Sequence, residues 1–534
     1  MTPEAKARLA ARFFPAIRYA FKVRADYAAS GRVDWRLLAG IFVVFVAVWA
    51  TYAGISDGPV AIHQDMSEAY VWGREFQLGY NQHPPFWAWI AGAWFAVMPR
   101  TTWSFDLLAV LNAAVGLLGS WFLVGDFSKG ARRIAATALL LLTPFYVFLG
   151  LKYNANSIFL SLWPWTLHFF MRSIDGRRLG DAVWFGVLIA AAMLSKYYAV
   201  ILGMTCLVAA VLHPDRRRYF TSPAPYVSLV VALALFSPHV WWLFQNDFRS
   251  VHYATGLSAS HHISRSDWVD PARYALGTAA ACIGYQAVVL GLILAVSRTG
   301  PRAWIAAARA RWTDPRFRVL AALAAAPLAF TVLFGLVLHL KISSNMTIGV
   351  FSLAPLLAIE LSGLRDDARL ARRGVQFALA LSLLALVGSP LVAYAMMRFD
   401  AKDPRLALPQ MELARAATQT WRQRTGLPLT YVAGENLLPG AIAFYSPDRP
   451  HSFVRFDYGQ APWVTPAALA RDGLLAVCLT TDTKCLAAAP RFSTPQTVQV
   501  PLTLAHRFWG LTRPPQSFIL FLTPPAGRTI MPAG

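Results

Sequence analysis

Residues 181–212 read DAVWFGVLIAAAMLSKYYAVILGMTCLVAAVL, an apolar run broken by Ser195-Lys196. At 1.5 Å per residue a single helix of this length would reach roughly 48 Å, beyond the roughly 30 Å of a bilayer's hydrocarbon core. Two short helices meeting near Ser195 and Lys196 fit better, and they make this stretch a hairpin. The whole composition agrees. The 534 residues are 56% hydrophobic with 19 Trp, and the mean hydropathy is +0.44, which excludes an ordinary soluble domain.

Working outward, further apolar runs long enough to cross fall near 36–55, 103–125, 134–150, 157–171, 226–245, 273–297, 319–340, 346–363 and 375–397. With the hairpin they give about eleven spans. Phe86 to Met98, bracketed by Pro84, Pro85 and Pro99, would cover only about 20 Å and is expected to lie at the membrane surface. The net charge of +22 is then topological. With a cytoplasmic N-terminus the segments 1–36, 126–133, 172–178, 213–220, 298–318 and 364–373 hold 27 Lys and Arg, against 7 in the opposite loops before residue 398. That is the asymmetry of the positive-inside rule.

Three regions follow: a basic interfacial segment 1–35, a membrane body 36–397 with a long first periplasmic loop 56–102, and a small periplasmic α/β domain 398–534. The first segment lacks the order of a cleavable signal peptide. The last has short β-like runs at Leu429 to Ala433, Ala441 to Tyr445, Leu474 to Thr480 and Phe518 to Leu522. In the periplasm Cys478 and Cys485 could join, or remain two thiols. Cys206 and Cys282 fall in spans as small core residues.

Ionisable groups at the membrane edge mark the chemistry. The first loop carries Asp65 and Glu68, three apart and on one face if helical. Either could deprotonate a nucleophile, and both could equally be solvated loop acids or a cap. Lys152, Lys196 and Lys341 stand singly at three outside turns, as phosphate ligands or as snorkelling anchors. His63, His83, His261 and His262 offer a divalent-metal site with a carboxylate, or are simply exposed.

Four motifs give these residues a context. They are Glu68-Ala69-Tyr70 with Leu78-Gly79-Tyr80-Asn81-Gln82-His83-Pro84-Pro85, then Asn154-Ala155-Asn156 ahead of Trp163, Leu194-Ser195-Lys196-Tyr197, and Ser237-Pro238-His239-Val240-Trp241-Trp242. Together they resemble the GT-C-type membrane glycosyltransferases, in the bacterial branch of the protein O-mannosyltransferases and the lipid A aminoarabinose transferase. The resemblance covers about the first 250 residues. Its wording is similar to rhizobial-type enzymes that glycosylate lipopolysaccharide, some with galacturonic acid. It departs at Ser67-Glu68, where the family has Asp-Glu, and at Asn156, where it has Asp.

The resemblance implies an all-α polytopic bundle with juxtamembrane helices in the first loop and a terminal periplasmic domain. It implies inverting transfer from a polyprenyl-phosphate sugar to lipid A, lipopolysaccharide core or another envelope acceptor, at the periplasmic face of the inner membrane. Asp65 would be the preferred base and Glu68 the alternative or partner. Lys152, Lys196 and Lys341 would bind the phosphate. Tyr70, Tyr80, His83, Asn156 and Tyr197 would line the substrate pocket, and His83, His261 and His262 would hold any divalent metal. A transporter or flippase would place ionisable groups mid-span and show inverted repeats; a non-catalytic scaffold would tolerate loss of Asp65.

Overall fold

The computed structural model describes residues 35–259, 269–340, 342–364, 366–400, 403–435 and 437–531. Most of the basic N-terminal segment, together with His261, His262 and Lys341, lies outside the described residues.

The expected apolar runs are helices, and local chemistry sets their ends. Thr101 accepts the Ser104 N–H to start Thr102–Gly125, while Asp314 followed by Pro315 starts Pro315–Val337. The 181–212 run divides as its polar break requires. Leu179–Met193 ends, Lys196 is extended, and Val200–Leu212 resumes after a 3₁₀ turn at Tyr197–Ala199.

Two expected straight spans are bent. Gly130–Leu140 and Pro144–Leu151 meet at 64°, where Pro144 supplies no N–H to continue the first helix. Val269–Gly284 and Ala287–Ser297 meet at 51°. The 346–363 run opens in two 3₁₀ turns before Ala354–Ser362. Among the described residues five helices are long and apolar enough to cross a membrane, or seven if each bent pair is one span. Leu229, Val230 and Leu233 on Ala224–Gln245, and Leu383, Leu384 and Val387 on Asp367–Phe399, are exposed, as a lipid-facing belt requires.

Ion pairs gather five of the six cation-rich segments at one end. Arg132 bonds Glu360 and Asp367 at 2.7 and 3.0 Å, and Arg311 pairs with Glu360. Arg316 and His213 both reach Asp175, at 2.8 and 3.0 Å. The loops assigned to the opposite face converge at the other end, beneath the C-terminal sheet.

That sheet has the order β2-β1-β3-β7-β4. Parallel pairs join β1 (Tyr431–Gly434) to β2 (His451–Val454) and β3 (Leu474–Leu479); antiparallel pairs join β7 (Gln516–Thr523) to β3 and to β4 (Val498–Leu504). Every residue of β1 is buried, because helices cover both faces. A small hairpin, β5 (Arg507–Phe508) with β6 (Leu511–Thr512), stands apart. Cys478 and Cys485 are joined.

The expected strand at Ala441 to Tyr445 is instead the helix Leu438–Tyr445, started by Pro439 in its first turn. Its residues face both the sheet and the membrane body, so no alternation distinguished the two. Phe444 is fully buried against Tyr70, Phe95 and Phe105, keying the terminal region into the main core.

Candidate active site

Asp65 and Glu68 ride on the Gln64–Glu75 helix. His63 starts it by accepting the Asp65 N–H on Nδ1 at 3.1 Å, and Phe76 closes it in the left-handed region. This short polar helix lies across Phe86–Val97, where Gly73 and Gly92 let the backbones touch: a Cβ on Gly92 would sit 2.3 Å from the Gly73 carbonyl oxygen. The Phe86 N–H donates to Leu194 O at 2.8 Å, which fixes the first loop to the 194–196 turn.

The second outside turn is held by its own side chains. Asn154 Oδ1 accepts from the N–H groups of Asn156 and Ser157 at 2.9 and 2.8 Å. Its Nδ2 is thereby aimed at Asp65 and donates to Oδ2 at 2.8 Å. Lys152 Nζ stands 3.2 Å from the same oxygen. Asn156 Oδ1 accepts from Lys196 Nζ at 2.7 Å. The first loop and two motifs thus meet through a chain running Lys152, Asp65, Asn154, Asn156, Lys196.

The fourth motif supports the first from outside. His239 Nδ1 donates to Leu78 O at 2.8 Å, so its Nε2 accepts from Tyr197 Oη, also at 2.8 Å. Ser250 Oγ lies 2.6 Å from that oxygen and supplies the remaining bond. Trp242 packs flat under Gly79, where any side chain would strike the indole at 2.4 Å.

Between these elements lies a cavity of about 270 Å³ lined by Asp65, Glu68, Gln82, His83, Asn156, Lys196 and Arg455, among others. Its charged groups differ in character. Burial raises the Asp65 carboxyl, but His63, Lys152 and Asn154 outweigh it and hold the group far below the ordinary range. The His63 contribution is the smaller in our reading, because its Nδ1 already accepts a backbone N–H and carries no proton for Asp65. Glu68 is pushed up to about 7, first by burial and then by the Asp65 charge; Gln64 donates to it at 3.3 Å. Burial and the neighbouring charges leave Lys196 at about 8. Burial, helped by Lys196, takes His83 down to about 3, so the ring is neutral.

Asp65, Glu68, His83, Asn156 and Lys196 are therefore gathered at one cavity, and Lys152 stands behind it on Asp65. Three tyrosines expected in the pocket sit elsewhere. Tyr70 is buried against Phe95 and Phe444. Tyr80 stacks on Trp72 and donates its hydroxyl to Trp72 O. Tyr197 is engaged by His239 and Ser250. Tyr70 and Tyr80 are buried packing residues of the walls, and Tyr197 is half-buried with its hydroxyl satisfied. Lys341, His261 and His262 lie outside the described residues. Among the described residues no three His, Cys, Asp or Glu side chains are grouped to hold a metal ion, and His83 is ringed by Trp72, Trp87 and Tyr253, so these residues alone form no ligand set. Arg455, Tyr253 and Gln64 join the cavity without any motif to announce them. Only their placement in the folded chain reveals them.

Residues 82–242 match the family described as dolichyl-phosphate-mannose-protein mannosyltransferase. This segment includes three of the four motifs from Gln82 onward, while Asp65 and Glu68 precede it. Over 465 residues the chain is 24% identical to the lipopolysaccharide core galacturonosyltransferase RgtB of Rhizobium johnstonii, covering 84% of this chain and 87% of that one. Its fold is that of ArnT from Cupriavidus metallidurans. The structure of that protein bound to undecaprenyl phosphate superposes with a TM-score of 0.58 at 17% identity, covering 90% of this chain and 98% of the other. The apo form matches equally well, with a TM-score of 0.58 at 16% identity. The likeness in fold thus extends over 90% of the chain, well beyond the motifs.

Proposed function

We propose that this protein transfers a sugar from a polyprenyl-phosphate donor to an envelope glycolipid, lipid A or lipopolysaccharide core first among them, at the periplasmic face of the inner membrane. The observation that carries the reading is the one cavity that Glu68, Asp65 and Lys196 line together. The relatives support its chemistry: one is named a lipopolysaccharide core galacturonosyltransferase and another holds undecaprenyl phosphate. The eleven-span topology with a periplasmic terminal domain belongs to the same proposal, supported by the cation asymmetry and the ion-paired end of the bundle.

In this mechanism the acceptor hydroxyl attacks the anomeric carbon from the face opposite the phosphate. The bond from that carbon to the phosphate oxygen breaks with its electron pair, and polyprenyl phosphate leaves. Glu68 takes the hydroxyl proton. Its raised pKa suits a base working near neutrality, whereas Asp65, preferred on sequence grounds, is held by Lys152 and Asn154 and is a weak proton acceptor. Asp65 instead fixes the Lys152–Asn154–Asn156 turn that aims Lys196. Lys196 Nζ offers the remaining hydrogen bonds of its ammonium to the phosphate, stabilising the charge that grows on the leaving group.

The test is transfer of radiolabelled sugar from a polyprenyl-phosphate pool to envelope lipids in membranes carrying the native chain, Glu68→Gln or Asp65→Asn. Label should reach a lipid with the native chain and fall at least 100-fold with Glu68→Gln. Undiminished transfer by that variant would remove Glu68 as the base, and no transfer by the native chain from any donor would end the glycosyltransferase reading.

A further inference from the structure

The terminal region contributes one charged side chain to the cavity, and no step above uses it. Arg455 follows β2 and is placed by its backbone: its N–H donates to Gly434 O at 2.8 Å, and Arg455 and Phe456 both take left-handed φ values, 54° and 55°. Such a pair is uncommon outside glycine. Phe456 is buried and stacks on Phe492, which locks the turn. Arg249, from the neighbouring loop, donates to Gly459 O at 2.9 Å and ties the turn to the membrane body.

The guanidinium so placed is partly open to solvent, with 44% of the side chain exposed, and no tight ion pair holds it, though its charge acts on Glu68 in the same cavity. Among the described residues its one ion pair is with Glu435 at 3.9 Å, and its side chain makes no hydrogen bond. The other charged groups of the cavity have assignments: Asp65 is matched by Lys152, Lys196 faces the donor phosphate, and Glu68 is the base. Arg455 also lines an adjoining narrow cleft with Glu68, with the amides of Gln64, Asn81, Gln82 and Gln460, and with the Ser452 hydroxyl. That set of amides and a hydroxyl, beside a planar fork of donors, suits a hydroxylated ring bearing a carboxylate. The lipid phosphate would sit at the Lys196 end, where the apolar helices break, so the ligand atoms reaching Arg455 are those of a sugar.

Resting on the glycosyl-transfer reading, we infer that Arg455 is a specificity residue that binds the carboxylate of an acidic sugar in the cavity, so that the enzyme works on a uronate-type substrate. The carboxylate belongs either to the transferred sugar or to the acceptor glycan.

The experiment pairs a uronosyl with the corresponding hexosyl polyprenyl phosphate, and acceptor lipids with and without an acidic residue, using the full-length protein in membranes. Equilibrium binding of both short-chain donors and both acceptor glycans is measured in parallel. Arg455→Gln should lower kcat/KM at least tenfold for whichever substrate carries the carboxylate and less than threefold for its neutral counterpart, with binding affinity following the same split. Arg455→Lys should recover part of the loss. Loss that tracks the donor assigns the carboxylate there, and loss that tracks the acceptor assigns it to the glycan. Equal loss across all pairs with a shifted pH profile would make Arg455 a partner of Glu68 and overturn the inference, as would no loss at all. The binding arm separates the two readings: carboxylate-selective binding through Arg455 without any turnover would sink glycosyl transfer and keep the inference.

Discussion

Two carboxylates three residues apart on one helix have been driven to opposite ends of their range by what surrounds them. Asp65 faces a lysine and a turn-locked amide; Glu68 faces burial and a negative neighbour. If Glu68 is the base, kcat/KM should rise tenfold per pH unit to a limb near 7. It should fall again above about 8 as Lys196 loses the proton that holds the phosphate. A profile still flat down to pH 5 would return the role to Asp65. The same shift has a stability consequence. Glu68 titrates near 7 in the fold against 4.5 unperturbed, so the fold prefers its neutral form. Stability falls as pH rises through that window, and the penalty is complete above 7. At about 1.4 kcal/mol per unit the upper limit is ~3 kcal/mol. Glu68→Gln should therefore melt higher than the native chain at pH 8 in detergent, with most of the difference gone at pH 5. Equal midpoints at both pH values would count against a strained, buried carboxylate.

The helix that carries these groups is held by contacts too close for a side chain. Gly73 and Gly92 meet where Gln64–Glu75 crosses Phe86–Val97, and on the far side Ser67 lies against Gly440. Gly92→Ala has nowhere to put its methyl group and must push the helix off its support. We expect a loss of about 1–3 kcal/mol in stability and roughly 100-fold in transfer from displacement of about an ångström, read from melting and turnover of one preparation. A melting loss with full activity would show that the helix can move without disturbing the chemistry. Elements of this kind were partly legible in the sequence. The break at Ser195-Lys196 and the short helix between Pro85 and Pro99 followed from length and polarity alone. Leu438–Tyr445 did not, because its apolar residues serve two cores at once. Glu68, Lys196 and Asn156 stood in motifs and Asp65 three residues before one, but Arg455 lies about 390 residues from Asp65 in a turn with no motif, and only the packing of the terminal sheet brings it to the cavity.

At the scale of the whole molecule the two ends differ in chemistry. One is a cluster of arginines bridged by Glu360, Asp367 and Asp175; the other is the cavity roofed by the terminal sheet. Arg100 donates to Phe444 O and Ser446 O, both at 2.9 Å, and Glu75 bonds His451 at 2.7 Å, so the roof is part of the site's frame. The proposed orientation turns the arginine end to the cytoplasm, where the positive-inside rule puts it, and the roof to the periplasm, where Cys478 and Cys485 can remain joined. Protein taken from cells without reductant and denatured should expose two thiols, those of Cys206 and Cys282, and four after reduction. Replacing Cys478 and Cys485 by Ser should cost the terminal region about 2.5 kcal/mol by loop-closure entropy for a separation of 7, seen as earlier proteolysis of its β3–β7 core. Four thiols before reduction, with the terminal region shielded from a membrane-impermeant probe added outside the inner membrane, would invert the molecule. The cavity would then face the cytoplasm and most of the cations would stand outside. Because cation placement and thiol state depend on different chemistry, agreement between them would fix the orientation of the site.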